Sequence, residues 1–350
     1  MFRRLLAAIG FLLLILVILG AWTGRTYTPA FTDDAGNPLE NSIAEERMVS
    51  LGGSQQYVLI RGRDKTAPLL LYLHGGPGTS AMAFNRVYNA ELEDDFVFVN
   101  WDQRGTGYSY SAAADPDTLT LDRITRDLDE LVDLLLAEFE QEQLVLIGHS
   151  WGSLLGLEYI SRHPEKVAAY IGIGQMTNTP VSEALVYDWA LAQATAAEDQ
   201  DALRILNEIG APPYDTVGEM MQHRSVVNKF GGSWGKPFSE IDYALTAIRA
   251  PEFSWLGLRD ILRGGDVSLK ALFPTFVRLD AEETYPVLEV PVYFFLGRND
   301  RVVSPDPAVE YMTVLEAPEK DIVWFEGASH SPQWEAPARF MDELRRLTLQ

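Results

Sequence analysis

The sequence predicts an α/β protein: a mostly parallel central sheet covered by helices, with one helical insertion. Three observations carry that prediction. Short, nearly continuous apolar runs at 57–61, 69–73, 96–101, 144–148, 168–173, 292–296 and 322–325 have the length and composition of strands buried on both faces. Helical periods stand between them, clearest at 124–139, where Ile124, Leu128, Leu131, Leu135 and Phe139 recur at spacings of three and four. The alternation of strand and helix lapses only between about 177 and 285, then resumes at Val290-Pro-Val-Tyr-Phe-Phe-Leu296.

In chain order, the first segment is the most apolar. The 20 residues between Arg4 and Arg25 carry no charge, and as a helix they span roughly 30 Å, a bilayer core. Arg3 and Arg4 precede them, so the positive-inside rule keeps the N-terminus in the cytoplasm and the remainder outside. Residues 1–25 are therefore expected to be a membrane segment, an uncleaved single-pass anchor in the cell membrane. A cleaved signal and secretion is the alternative, disfavoured because Leu19 would occupy a position that wants a small residue. No cysteine follows, which excludes a lipoprotein anchor.

A turn-rich stretch at 32–41 leads into the first part of the core, expected over 45–176. The insertion over 177–285 reads as helices at 183–197, 200–209 and 239–250, separated by Gly210-Ala-Pro-Pro213 and Gly231-Gly-Ser-Trp-Gly235, and lying as a cap over the sheet. The second part of the core is expected over 286–350. There is no internal repeat.

Composition narrows the function. At 350 residues, 47% hydrophobic and 22% charged, the chain is globular in character and long enough for one large core. Its 50 acidic against 28 basic residues give a net charge of -22, which argues against nucleic acid as a partner. The absence of cysteine excludes disulfides, cysteine-ligated zinc and thiol catalysis. Neither a His-Glu-x-x-His motif nor a glycine-rich dinucleotide fingerprint is present, so no metal or cofactor is expected. Composition does not fix the oligomeric state.

The strongest chemical signal is Leu144-Val-Leu-Ile-Gly148-His-Ser150-Trp-Gly152, a buried strand running into Gly-x-Ser-x-Gly and then a helix. A nucleophile on so sharp a turn needs small residues two before and two after it, and Gly148 and Gly152 supply them. Ser150 needs an adjacent base, and there are five histidines. His74 lies in a glycine-rich loop, His149 adjoins the nucleophile, His163 ends a helix before Pro164, and His223 is in the insertion. His330 remains, after the last strand and before the final helix, where a Ser, acid, His order puts the base. Asp300, in the turn after the strand at 292–296, is the acid that would orient it, with Asn299 uncharged and Asp280 and Asp306 less well placed. The oxyanion donors expected are the backbone N–H of Trp151 and one from the loop His74-Gly75-Gly76-Pro77-Gly78, from Gly75 or Gly76.

His74-Gly-Gly-Pro-Gly78, Trp101-Asp-Gln-Arg-Gly-Thr-Gly-Tyr-Ser109 and Gly148-His-Ser-Trp-Gly-Ser153, with Asp300 and His330 in matching order, resemble the proline iminopeptidases and related serine aminopeptidases of the α/β-hydrolase superfamily. The likeness covers about 48–176 and 286–345. It implies the α/β-hydrolase fold and a cap whose acidic residues hold the substrate's free α-amino group. The family commonly has Gly where this chain has His149. Glu183, Asp188, Glu208, Asp215, Glu219 and Glu240 are the cap acids available for that task. Asp102 and Arg104 are expected to hold the loop after their strand.

Three functions follow. The first is an aminopeptidase releasing N-terminal residues such as proline from short peptides. The second is a carboxylesterase acting on small acyl esters through an apolar cap pocket lined by Trp189, Phe230, Trp234, Phe253 or Trp255. The third is a hydrolase-like binding protein without turnover, against which the complete triad speaks.

Overall fold

In a computed structural model of the chain, residues 26–235, 239–254 and 257–349 are described. The apolar runs become β2 (Ser54–Gly62), β3 (Leu69–Leu73), β4 (Val97–Trp101), β5 (Leu144–His149), β6 (Val167–Ile173), β7 (Val292–Gly297) and β8 (Lys320–Phe325), preceded by β1 (Ile43–Leu51). Among the described residues these eight form one sheet in the order β1-β2-β4-β3-β5-β6-β7-β8. β1–β2 and β2–β4 pair antiparallel, and every later neighbour is parallel.

The two-residue period of a strand divides the core. On β3, Leu69, Leu71 and Leu73 join one apolar cluster while Leu70 and Tyr72 join the other. The first cluster takes in Ile124, Leu128 and Leu131 of a long helix, and the second takes in Phe340 and Leu344 near the C-terminus. The helices in chain order are α1 (Met82–Tyr88), α2 (Leu121–Glu138), α3 (Trp151–Arg162), α4 (Thr179–Ala196), α5 (Gln200–Ile209), α6 (Val217–Lys229), α7 (Glu240–Ala247), α8 (Leu258–Phe276), α9 (Ala281–Thr284), α10 (Asp306–Val314), α11 (Pro332–Glu335) and α12 (Pro337–Thr348). Helices α4 to α9 occupy the interval between β6 and β7, where no strand lies among the described residues.

Three elements depart from the sequence reading. β1 shows no apolar run because it is an edge strand: only its end residues, Ile43 and Leu51, are buried. α6 is set by a Thr216/Glu219 capping box rather than by apolar periodicity. α8, for which the sequence reading gave no helix, runs for 19 residues through Gly264, Gly265 and Pro274.

The expected placement in the cell membrane, with the catalytic domain outside, is corrected. Among the described residues no helix is long and apolar enough to cross a membrane. The segment on which that expectation rested, residues 5–24, lies outside the described residues.

Because β3, β5, β6, β7 and β8 run parallel, the loops after them gather at one edge of the sheet, where sites of this architecture form. Those loops carry His74 to Gly78, Ser150, Gly174 to Thr177, Asp300 and His330. Between this edge and helices α4, α6, α7 and α8 lies a cavity of about 1100 Å³.

Candidate active site

Ser150 sits between β5 and α3 with φ 54° and ψ −122°, a conformation a serine adopts only under constraint from its surroundings. The constraints are visible. Its N–H donates to the Ile173 carbonyl at 2.9 Å, and its own carbonyl accepts from the Ser153 N–H at 2.8 Å and the Ser153 hydroxyl at 2.6 Å. The flanking glycines are obligatory for space: a Cβ on Gly148 would lie 2.4 Å from the Gly152 carbonyl oxygen, and one on Gly152 would lie 2.1 Å from that of Leu73. The turn leaves Ser150 on the wall of the large cavity.

Asp300 and His330 are brought together. His330 Nδ1 and Asp300 Oδ2 are 2.8 Å apart, and the other carboxylate oxygen, Oδ1, accepts from the backbone N–H groups of Val302 and Val303 at 2.8 and 2.9 Å. With both acceptors used, Asp300 is fixed in rotation, and so is the ring that bonds to it. His330 then carries its proton on Nδ1, leaving Nε2 as the basic nitrogen. Its ring rests on Gly174, where an added Cβ would meet Nδ1 and Cε1 at 2.9 Å. Gly174 follows Ile173, the residue that binds the Ser150 N–H, so β6 ties serine and histidine to one strand end.

The other histidines have structural partners. His74 Nδ1 donates to the Gly75 carbonyl at 2.9 Å while its Nε2 accepts from the Gln103 N–H at 3.1 Å, which fixes a single neutral tautomer. Burial pushes its pKa down to about 4. His149 donates from Nε2 to the His330 carbonyl at 3.0 Å, and burial together with the neighbouring His330 holds it well below the usual imidazole range.

Gln103, which the sequence reading passed over, ties the glycine loop to the elbow. Its Nε2 donates to the His74 carbonyl at 3.0 Å and its Oε1 accepts from the Trp151 indole at 3.0 Å. Gly75 lies against the nucleophile: its Cβ would be 3.0 Å from that of Ser150. Gly76 lines the cavity, and Trp151 opens α3, so its N–H is one of the four that a helix leaves unpaired. Arg104 holds Asp127 at 2.6 and 2.9 Å and the Leu51 and Gly52 carbonyls at 3.1 Å, the loop-holding role expected of it.

Of the cap acids, Glu183 lines the cavity; Asp188, Glu208, Asp215 and Glu219 do not, and the Glu240 side chain lies outside the described ones. Glu183 is buried and ion-paired with Arg224, which lines the same wall, and lies 3.5 Å from His223. Burial raises its pKa, but Arg224 and the His223 hydrogen bond outweigh that and hold it below the usual carboxylate range. Asp266 also reaches the cavity, paired with Lys270 at 2.7 Å. The rest of the wall is largely apolar, with Met220, Ile241, Leu258, Ile261, Leu262 and Leu269 prominent. The expected aromatic lining is corrected. Trp189, Phe230, Trp234 and Phe253 pack elsewhere, and Trp255 lies outside the described residues. Among the described residues no three metal-ligating side chains cluster.

A parallel sheet with a strained serine at one strand end and a hydrogen-bonded Asp–His pair on neighbouring loops defines the class: the chain belongs to the α/β-hydrolase fold family, whose model matches residues 68–337, and it is a hydrolase of that family. Within it, the chain is similar to a Bacillus subtilis (strain 168) protein named "Probable aminopeptidase YbaC", 33% identical over 311 residues, 88% of this chain and 98% of that one. A proline iminopeptidase of Lactobacillus acidophilus is 30% identical over 130 residues, 37% of this chain and 43% of that one. Among solved structures, a proline iminopeptidase of Mycobacterium smegmatis superposes with a TM-score of 0.63 at 16% identity, covering 87% of this chain and 98% of that one. The esterase RhEst1 from Rhodococcus sp. ECU1013 does so at 0.59 and 21%, covering 88% and 98%. At those identities the structural matches speak to fold alone.

Proposed function

We propose that this hydrolase is a serine aminopeptidase that releases N-terminal residues, proline among them, from short peptides, with Ser150 as nucleophile, His330 as general base and Asp300 orienting it. The observation that carries the reading is the 2.8 Å bond between His330 Nδ1 and a rotationally fixed Asp300, beside a strained Ser150 that faces the cavity. In this mechanism Ser150 Oγ attacks the substrate carbonyl carbon and its proton passes to His330 Nε2, while Asp300 stabilises the imidazolium. The N–H groups of Trp151 and of Gly75 or Gly76 receive the oxyanion. His330 then protonates the departing amine, and water activated by the same histidine hydrolyses the acyl-enzyme. Ser150→Ala and His330→Ala should each lower kcat by several orders of magnitude with an unchanged fold, and Asp300→Asn should be similarly harmful through the wrong tautomer. Steady-state kinetics on aminoacyl chromogenic substrates checks this, and wild-type rates in Ser150→Ala would remove the nucleophile assignment.

For the free α-amino group the site offers Glu183, kept ionised by Arg224 on the wall of the same cavity. Supporting the peptide reading is the likeness to a named aminopeptidase along nearly its whole length. Glu183→Gln should reduce kcat/KM for free-amine substrates by about 1.5–3 kcal/mol, the scale of a charge-assisted hydrogen bond, and N-acetylated analogues should be poor substrates of the wild type. A carboxylesterase is the second reading, favoured by the apolar wall and by the pairing of Glu183 with Arg224. It requires N-blocked and free-amine substrates to be hydrolysed equally well, and that result would sink the peptidase reading while leaving the triad standing.

A further inference from the structure

The loop that presents His330 is held from both sides by one carboxylate. Glu335, on the short helix α11 and five residues beyond the histidine, accepts the Ser329 N–H on Oε2 at 3.0 Å and the Ser331 N–H on Oε1 at 2.9 Å. The two peptide groups flank His330, so a single planar group spans the residue that carries the imidazole. No other side chain among the described residues bonds those two N–H groups.

The clamp has its own anchors. The Trp334 indole donates to Asn85 Oδ1 at 2.8 Å, Gln333 Nε2 donates to the Tyr72 hydroxyl at 3.0 Å, and the Gln333 carbonyl accepts from Asn89 Nδ2 at 2.8 Å. Tyr72 belongs to the middle of β3, and Asn85 to α1, so α11 is tied to the core on two sides. The histidine side is tied too: its carbonyl takes the His149 ring and its Nδ1 faces Asp300.

We infer that Glu335 is a positioning residue for the general base: its carboxylate fixes the backbone on either side of His330, and its negative charge favours the imidazolium that forms when Ser150 is deprotonated. This rests on the reading of His330 as the base. The charged and titratable groups facing it are Asp300 and His330, with His149 packed against both the His330 ring and Trp334. An isosteric amide cannot accept an N–H at each of its two terminal atoms, as Glu335 does. It presents one carbonyl oxygen and one NH₂, so one peptide N–H loses its acceptor and meets a donor. The loop then relaxes on one side, and a small displacement of a catalytic group is costly in rate.

The test is Glu335→Gln in the full chain, with Ser150→Ala and His330→Ala assayed alongside. In Glu335→Gln, kcat should fall roughly 30-fold with KM changed less than about threefold. Removing a negative charge near His330 disfavours its protonated form, so the acid limb of kcat/KM against pH should move to lower pH by about half a pH unit or more. Glu335→Asp, which restores the charge on a shorter stem, should return the acid limb toward its wild-type position while recovering only part of kcat. A merely structural role would lower the melting temperature and the yield of folded enzyme and leave the acid limb where it was, and that outcome overturns the proposal. So does a wild-type kcat. The two inactive controls keep the readings apart: activity in His330→Ala condemns the base assignment, whereas an unmoved acid limb with both controls inactive condemns the role of Glu335 alone.

Discussion

Asp102 shows how far a single buried group departs from its behaviour in water. It is 1% exposed, accepts the Tyr108 N–H at 2.9 Å, and burial raises its pKa from the ordinary 3.8 to about 6, against the opposing pull of its hydrogen bonds from Ser80 and Tyr108. A carboxyl with a raised folded-state pKa binds its proton more tightly folded than unfolded, so it costs stability as pH rises from about 4 through about 6. The size is on the order of 2–3 kcal/mol. The stability difference between wild type and Asp102→Asn should therefore shift in favour of the variant between pH 4.5 and pH 7, by about 2 kcal/mol, part of the change having already developed by pH 4.5. Urea unfolding at the two pH values measures it, and a difference independent of pH would show that folding leaves the Asp102 pKa where it is in the unfolded chain. At this scale the sequence was partly legible. Ser150 announces itself because the elbow needs glycine on both sides, and Asp300 and His330 stand directly after strands. Glu335 belonged to no motif, and Gln103, though it lies in the Trp101–Ser109 block, was given no role there. Their importance lies in backbone N–H groups and an indole that only the folded chain brings within reach.

Among elements, legibility followed burial. Strands buried on both faces, such as Leu69–Leu73 and Val292–Gly297, appear in the sequence as unbroken apolar runs, and their boundaries agree with the sequence reading to within a residue. β1 pairs with β2 along nine residues, yet one face meets solvent and the sequence there is Ile-Ala-Glu-Glu-Arg-Met-Val-Ser-Leu, which has no run to detect. α8 was hidden for a different reason. Its Gly264 and Gly265 face close backbone neighbours, Gly105 on one side and Gly78 on the other, where a Cβ on Gly264 would approach the Gly105 carbonyl oxygen to 2.5 Å. Glycine is poor for an isolated helix but necessary for one that must lie this close to the loops bordering the site. The glycine pair that lowers helix propensity is thus a packing requirement of the helix that closes the cavity.

Across the whole molecule the net charge is -22, yet one buried set of charges is balanced. Arg61 of β2, Arg86 of α1, Glu93 and Glu252 form one cluster of two cations and two anions. Glu252 belongs to the interval between β6 and β7 and the other three to the part of the core that precedes it (β2, α1 and the segment leading to β4), so the cluster binds the helical insertion to the core. Glu252 is fully buried. Its Oε1 takes Arg86 Nε at 3.0 Å and the Thr28 hydroxyl at 2.8 Å, while its backbone carbonyl takes the Tyr108 hydroxyl at 3.1 Å. Removing one charge from such a set leaves a cation desolvated without its counter-ion, which costs far more than the pair contributed by forming. Glu252→Gln preserves shape and one acceptor oxygen but leaves two arginines facing Glu93 alone. It should lower unfolding stability by about 3 kcal/mol, at the lower end of the cost of breaking a buried pair. Glu208→Gln makes the comparison: Glu208 is paired with Arg204 at 3.0 Å on the exposed face of α5, and its loss should stay within about 0.5 kcal/mol of wild type. Urea denaturation of the two variants beside wild type decides the matter. Equal, small losses in both would mean that the cluster is as well solvated as a surface pair, and that the insertion is held to the core by its apolar contacts rather than by these four charges.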